Sequence, residues 1–360
     1  MQGPRRDFVS RSLCRSPTGA SSDNDESMSR DSAAHLKFAA RLNSFRVRER
    51  EYWPERSGKV TTLDLIQRAA KVKGLTCVDL NYPDHLEGQD ERHLIARMQD
   101  DGVCLNGYAM RYYDDDLYRI GAFTNPDPQA RRAAIDLTKR GLDSLAAAGG
   151  RLMTLWLGQD GFDYSFQADY ARLWGGTIEA IREVADHNPA IDVSIEYKPN
   201  EPRAFSLMPN AATTLLAIRE IDRPNLGVTL DFAHALYAGE MPAFAAALVA
   251  RHSRLLGVHL NDGYAKRDDG LMAASVHPIQ TAELLFVLNR IGYDGALYFD
   301  TFPDTTGLDP VAECDANIAA VVTLRRIAER LAGDEGLAAA ILGQDAVKSQ
   351  RIVQAALYGG

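Results

Sequence analysis

The sequence predicts an α/β fold, a closed (β/α)8 barrel followed by a helical C-terminal tail. Three observations carry that prediction. From Lys37 onward short apolar runs alternate with longer stretches of helical periodicity, and the alternation repeats eight times. The strand-like runs are apolar throughout, as strands buried on both faces of a parallel sheet must be. Eight such units in roughly 300 residues match the usual size of a (β/α)8 barrel. A doubly wound open sheet is the competing architecture, but no glycine-rich phosphate turn follows the first strand.

Taken in order, the first strand is expected over 38–45 and the first helix over 62–71. Strand 77–82, helix 91–99 and strand 103–110 follow. A long helix is read over 128–148, where Ala, Leu and Ile recur at helical spacing. Then come strand 152–157, helix 170–186, strand 193–197, helix 211–221 and strand 226–230. Helix 241–251, strand 256–260, helix 280–291, strand 296–299 and helix 311–331 complete the set. The barrel thus spans 37–331 and a helical tail 332–360. Residues 1–36 are rich in Ser, Arg and Asp and lack the apolar stretch of a secretory signal. The acidic cluster Asp23–Glu26 opposes a transit leader. The segment reads as a disordered extension, or as sequence upstream of a start at Met28.

Composition narrows the function classes. The 360 residues are 46% apolar and 25% charged, ordinary for a globular protein, and the formal net charge is -9. That charge argues against a nucleic-acid partner, and no apolar run is long enough to span a membrane. Cys14, Cys77, Cys104 and Cys314 are scattered without C-x-x-C spacing, so a disulfide framework is not expected and a cytoplasmic location is.

The run Ser194–Arg203, S-I-E-Y-K-P-N-E-P-R, is the most informative segment. Val193 and Ile195 mark the end of a buried strand, and Glu196 and Lys198, two residues apart, project to the same side of it. Such a pair is also the pattern of an exposed ion pair. The later strands decide between the two readings. The fifth strand ends in Glu196, the sixth in Asp231, the seventh in His259 and the eighth in Asp300. In a (β/α)8 barrel the active groups sit at these carboxyl ends. Neighbouring strands lie about 5 Å apart, so side chains from such a row can converge on one ion. Three carboxylates and one imidazole suit Mn²⁺, Mg²⁺ or Co²⁺ better than structural zinc.

These motifs resemble the xylose isomerase-like barrel superfamily, which includes xylose and rhamnose isomerases and ketose 3-epimerases. The resemblance runs from about Lys37 onward and is most specific in Ile195–Arg203 (IEYKPNEPR). Leu230–His234 (LDFAH), Val258–Asn261 (VHLN) and Tyr298–Pro303 (YFDTFP) support it, as do Gly121–Ala133 and the strand of Trp156. It implies that Glu196, Asp231, His259 and Asp300 hold a divalent metal, Mn²⁺ first, and that Lys198 polarises a sugar carbonyl. It further implies catalytic roles for His234 and Glu196, and sugar contacts from Trp156, Asn81 and Glu201. Asp268 and Asp269 fall where the isomerases place acids for a second metal. The tail after Arg330 is similar to an extension that wraps neighbouring subunits, implying a homo-oligomer.

Departures bear on the activity. Asn81 stands where xylose isomerases carry a ring-opening histidine, and His259 replaces their aspartate. Asp300 stands where epimerases usually have glutamate, and the acidic spacing after His259 is compressed. The resemblance therefore implies a metal-dependent sugar isomerase, interconverting aldose and ketose or epimerising a ketose. The alternative is a metal-dependent lyase acting on a 3-keto-glycoside, with a small partner subunit. A metal-dependent endonuclease on the same barrel would need several metals and a basic surface, and the charge balance and the two-histidine inventory at the strand ends argue against it. A non-catalytic barrel subunit is opposed by the full set of ligand types.

Overall fold

Why the apolar runs become strands of a closed barrel is visible in β5 and β6. In the computed structural model, which describes residues 36–112 and 115–359 (apart from the Thr305 side chain), β5 is Asp192–Glu196 and β6 is Leu226–Asp231. Alternation puts Val193 and Ile195 on one face, Ser194 and Glu196 on the other. The same holds for Val228 and Leu230 against Thr229 and Asp231. Ser194 and Thr229 meet hydroxyl to hydroxyl at 2.6 Å, and all of these residues are buried. The face that carries this polar pair thus also delivers Glu196 and Asp231 at the strand ends.

The other barrel strands are β1 (Phe38–Arg41), β2 (Cys77–Tyr82), β3 (Cys104–Met110), β4 (Leu152–Trp156), β7 (Leu255–Leu260) and β8 (Leu297–Phe299). Each pairs in parallel with its neighbours in sequence order, and β8 closes onto β1 through Phe38 opposite Leu297 and Ala40 opposite Phe299. The intervening helices are α1 (Thr62–Ala69), α2 (Glu91–Asp100), α3 (Pro128–Ala147), α4 (Tyr170–His187), α5 (Ala211–Ile221), α6 (Pro242–His252), α7 (Pro278–Arg290) and α8 (Pro310–Ala332). Their starts are written in side chains. Thr61 and Asp64 form a capping box on α1, and Asp127 and Asp309 cap α3 and α8, each ahead of a proline in the first turn. The expected tail consists of two helices, α9 (Glu335–Leu342) and α10 (Ala346–Tyr358). The expected N-terminal extension lies outside the described residues except for Leu36.

Several expectations are corrected. The first strand stops at Arg41, and Leu42–Arg46 is a 3-10 turn whose Leu42, Ser44 and Phe45 are buried. Burial there comes from packing under the rim, which an apolar run alone does not distinguish from a strand. Two antiparallel two-residue strands, Gly161–Phe162 and Phe205–Ser206, join the loops after β4 and β5. Cys77 and Cys104 are paired as a disulfide, contrary to the expectation of unpaired thiols, while Cys314 is free and buried. They open β2 and β3 and are register partners with Cα atoms 4.4 Å apart, a closeness their separation of 27 residues conceals. Among the described residues no helix is long and apolar enough to cross a membrane.

One buried cation ties the first loop to the barrel. Arg68 of α1 donates from Nη1 to the carbonyls of Phe45 (2.9 Å) and Val47 (2.6 Å). Its guanidinium lies 4.1 Å from the ring centre of Tyr52 and 3.9 Å from Asp309.

Candidate metal centre

Glu196 and Asp231 are the last residues of β5 and β6, His259 is the penultimate residue of β7, and Asp300 directly follows β8. One ligand atom from each lies within 4.8 Å of the others. Nδ1 of His259 is 3.4 Å from Glu196 Oε1, 3.9 Å from Asp231 Oδ2 and 4.0 Å from Asp300 Oδ2. Supporting groups fix the set. Asn261 donates from Nδ2 to Asp231 Oδ2 (2.9 Å) and to the Asp300 carbonyl (3.2 Å). The other Asp231 oxygen accepts the His234 amide at 2.9 Å, capping the short helix Phe232–Tyr237. The Tyr298 ring packs on His259 with centroids 4.3 Å apart.

The electrostatics of this cluster ask for a cation. Burial pushes Asp231 up to about 7, even against His234, and raises Asp300 as well. Burial would lower His259, but Glu196, Asp300 and Asp231 outweigh it and hold the imidazole at about 9. Burial would raise Glu196, yet His259 and His234 keep it below the usual carboxylate range. Protons on imidazoles thus balance buried carboxylates. His259 Nδ1 itself is buried among three carboxylates without a hydrogen-bond partner. An orphaned imidazole nitrogen facing converging oxygens fits a divalent cation of the Mn²⁺, Mg²⁺ or Co²⁺ type.

Lys198 and His234 stand beside the cluster and share one carboxylate. Lys198 Nζ is 3.1 Å from Asp268 Oδ2 and 3.1 Å from Glu201 Oε2, with the Trp156 ring 5.4 Å away. Burial would lower the lysine, but Asp268 and Glu201 outweigh it and hold it charged. His234 Nε2 lies 3.1 Å from the same Asp268 oxygen, and Nδ1 lies 3.1 Å from the Tyr197 carbonyl. Both partners only accept, so both ring nitrogens carry protons. That agrees with a His234 raised to about 10, where burial is outweighed by Asp231 and Asp268.

Asp269 is not brought to the cluster. Its carboxylate accepts from the Tyr264 amide (2.9 Å) and from Arg267 Nε (2.8 Å), two residues earlier in the same loop. The two carboxylates thus diverge, and only that of Asp268 faces inward, to Lys198 and His234. Asn81 is buried at the end of β2 with Nδ2 unpartnered, and its amide donates to His85 Nδ1 at 2.9 Å; it does not line the cavity.

The cluster opens into a cavity of about 380 Å³, within the roughly 300–1,000 Å³ of small-molecule sites. Trp156, Lys198, Glu201, His234 and Asp268 line it, together with Arg41, Asp79, Arg111, Tyr298 and Phe302, which the sequence reading did not single out. Arg41 and Asp79 sit within strands whose apolar neighbours dominate the pattern. Only the parity of Asp79 with Asn81, both polar on one face of β2, hinted at a lined interior.

Fold and cluster together define a (β/α)8 barrel with a candidate metal centre at its carboxyl rim. The chain belongs to the xylose isomerase-like TIM barrel family, whose profile matches residues 66–321. It is similar to the xylose isomerase of Thermus thermophilus, 26% identical over 224 residues, covering 61% of this chain and 58% of that protein. The xylose isomerase of Thermus caldophilus is 27% identical over 194 residues, covering 52% and 50%. The chain thus spans little more than half the length of the curated relatives it matches. Among solved structures, an L-ribulose 3-epimerase superposes with a TM-score of 0.64 at 17% identity, over 83% of this chain and 97% of that one. A D-psicose 3-epimerase in the presence of D-fructose gives 0.61 at 16% identity, over 83% and 100%. These two share the fold.

Proposed function

We propose that the protein is a divalent-metal-dependent sugar isomerase or epimerase acting at the carbon beside a carbonyl. The observation that carries this reading is the convergence of Glu196, Asp231, His259 and Asp300 within 4.8 Å, next to the Lys198–Asp268–His234 chain. Those four residues would hold the ion, which would supply Lewis acidity at the sugar carbonyl. Lys198, kept as an ammonium by Asp268 and Glu201, donates to the carbonyl oxygen as charge develops on it. His234, protonated on both nitrogens, serves as an acid toward that region rather than as a base. Trp156 offers an apolar wall under the sugar.

The geometry supports proton transfer better than a hydride shift assisted by a second ion. In that route the ionised Glu196 carboxylate would take the proton from the carbon beside the carbonyl and return it to carbon, while Lys198 donates to the carbonyl oxygen. Asp269 is engaged with its own loop, and the inward Asp268 oxygen is already shared by Lys198 and His234. The test is NMR of a panel of aldoses, ketoses and 3-keto-glycosides in D₂O with Mn²⁺. Interconversion of sugars with deuterium entering the carbon beside the carbonyl is expected. Conversion without deuterium would overturn the proton-transfer route in favour of the hydride shift. Release of an aglycone would move the activity to elimination, and no turnover in any arm would sink the reading.

A further inference from the structure

Of the acids that line the cavity, Asp79 is the one the reading above leaves idle. Glu196 and Asp300 belong to the candidate ion site, and Asp268 and Glu201 hold Lys198. Asp79 is buried on β2, and its register partner on β1, Arg41, turns to Asp300 and Asp304 instead. What holds Asp79 is a neutral amide: Asn106 donates from Nδ2 to Oδ1 at 2.7 Å. The sheet is distorted at that bond. Val78 faces Leu105 and Asp79 faces Gly107, so Asn106 is an extra residue of β3 with no partner across on β2. Such bulges are rare between parallel strands and re-aim a side chain where they occur. Gly107 is required beside it, since a Cβ there would lie 2.5 Å from the Leu152 carbonyl oxygen of β4.

A buried carboxyl given a neutral donor in place of a cation is costly to keep ionised. Burial pushes Asp79 up to about 6, although the Asn106 amide and His259 pull the other way. Asp79 on β2 and Glu196 on β5 stand three strands apart around the ring, so a sugar between them shows one face to each. Glu196 alone returns a proton to the face it came from. We infer that Asp79 is the second acid–base of this site, protonating the sugar carbon on the face opposite Glu196, so that the reaction inverts that carbon. Glu196 takes the proton, and the pair of the broken C–H bond passes into an enediolate whose oxygen faces Lys198. A new C–H bond then forms with the Asp79 proton. Asp79 is left ionised and Glu196 protonated, and exchange with water resets both. This rests on the proton-transfer reading above and narrows it to epimerisation.

The experiment offers each ketohexose and ketopentose to the full chain with Mn²⁺ in D₂O, with NMR reading both the deuterium entering carbon and the epimer formed. Wild type is expected to invert the carbon beside the carbonyl, with deuterium in the product. Asp79→Asn keeps the size of the side chain and an acceptor for Asn106. Inversion should fall about 10²- to 10⁴-fold, while the epimer whose hydrogen faces Glu196 still takes up deuterium and the other does not. A purely structural role would slow exchange of both epimers alike; that result, or inversion at the wild-type rate, would overturn the assignment. Should Asp79→Asn fail to fold, Asn106→Ala removes only the aiming amide and should slow inversion about tenfold more than exchange. Equal slowing there counts against Asp79 as well. Aldose–ketose conversion with deuterium uptake and no inverted carbon would remove the second acid and leave proton transfer standing. Absence of deuterium uptake from every sugar takes both down.

Discussion

Lys198 reaches the cavity from a chain that has already left the sheet, and its ammonium is held by two carboxylates. Lys198→Met keeps the stem against Trp156 and removes only the charge. Turnover is expected to fall about 10²- to 10³-fold, as when one oxyanion donor is lost, while the metal content measured by elemental analysis stays unchanged. Wild-type turnover in that variant would remove lysine from the mechanism. At this scale much of the site was readable in the sequence. Glu196, Asp231, His259 and Asp300 each close an apolar run, and a polar residue at the end of a buried strand stands out. Arg41 and Arg111 did not stand out, because a lone arginine beside an apolar run reads equally well as a surface residue. Asp269 misled because adjacent acids in a sequence need not point the same way.

Between elements, the loops after β1 and β2 are joined through His85. Its Nδ1 accepts the Asn81 amide at 2.9 Å and its Nε2 lies 2.7 Å from Asn43 Oδ1. Burial, with Arg111, Arg46 and Arg41 nearby, pushes this imidazole down to about 3. The folded value lies below the unfolded one of about 6.5, so the neutral form is favoured by folding. Its contribution is complete above pH 6.5 and is lost as pH falls toward 3. The melting temperature of wild type should therefore drop more steeply between pH 6.5 and 4 than that of His85→Gln; parallel profiles would contradict the neutral assignment. The elements themselves were legible where their runs are bounded sharply, as in strand β2 and helix α5, which match their expected limits. The strand pair Gly161–Phe162 and Phe205–Ser206 was not, since two residues carry no period and their partners are distant in sequence.

Over the whole molecule, the acidic cluster places its repulsion where all the later strands meet. A cation that binds only the folded state stabilises it, by about 2.7 kcal/mol at a hundredfold excess over Kd. Mn²⁺ should thus raise the melting temperature of the EDTA-treated protein by several degrees. Glu196→Gln should abolish that rise and lower the melting temperature of the metal-free protein, because His259 and His234 lose a carboxylate that answers their charge. An undiminished Mn²⁺ shift in the variant would place the ion elsewhere. The eightfold alternation made this architecture legible from the outset, whereas the Cys77–Cys104 pairing depended on register, which no local pattern encodes.

Arg68 sets a limit on how this barrel can be remodelled. The segment leading away from Arg41 is anchored through its own carbonyls to a guanidinium on α1, which in turn leans on Asp309 at the start of α8. The first loop is consequently no interchangeable cassette. A chimaera that imports it from a relative must bring Arg68 and its carboxylate along, or graft a rim whose keystone is missing.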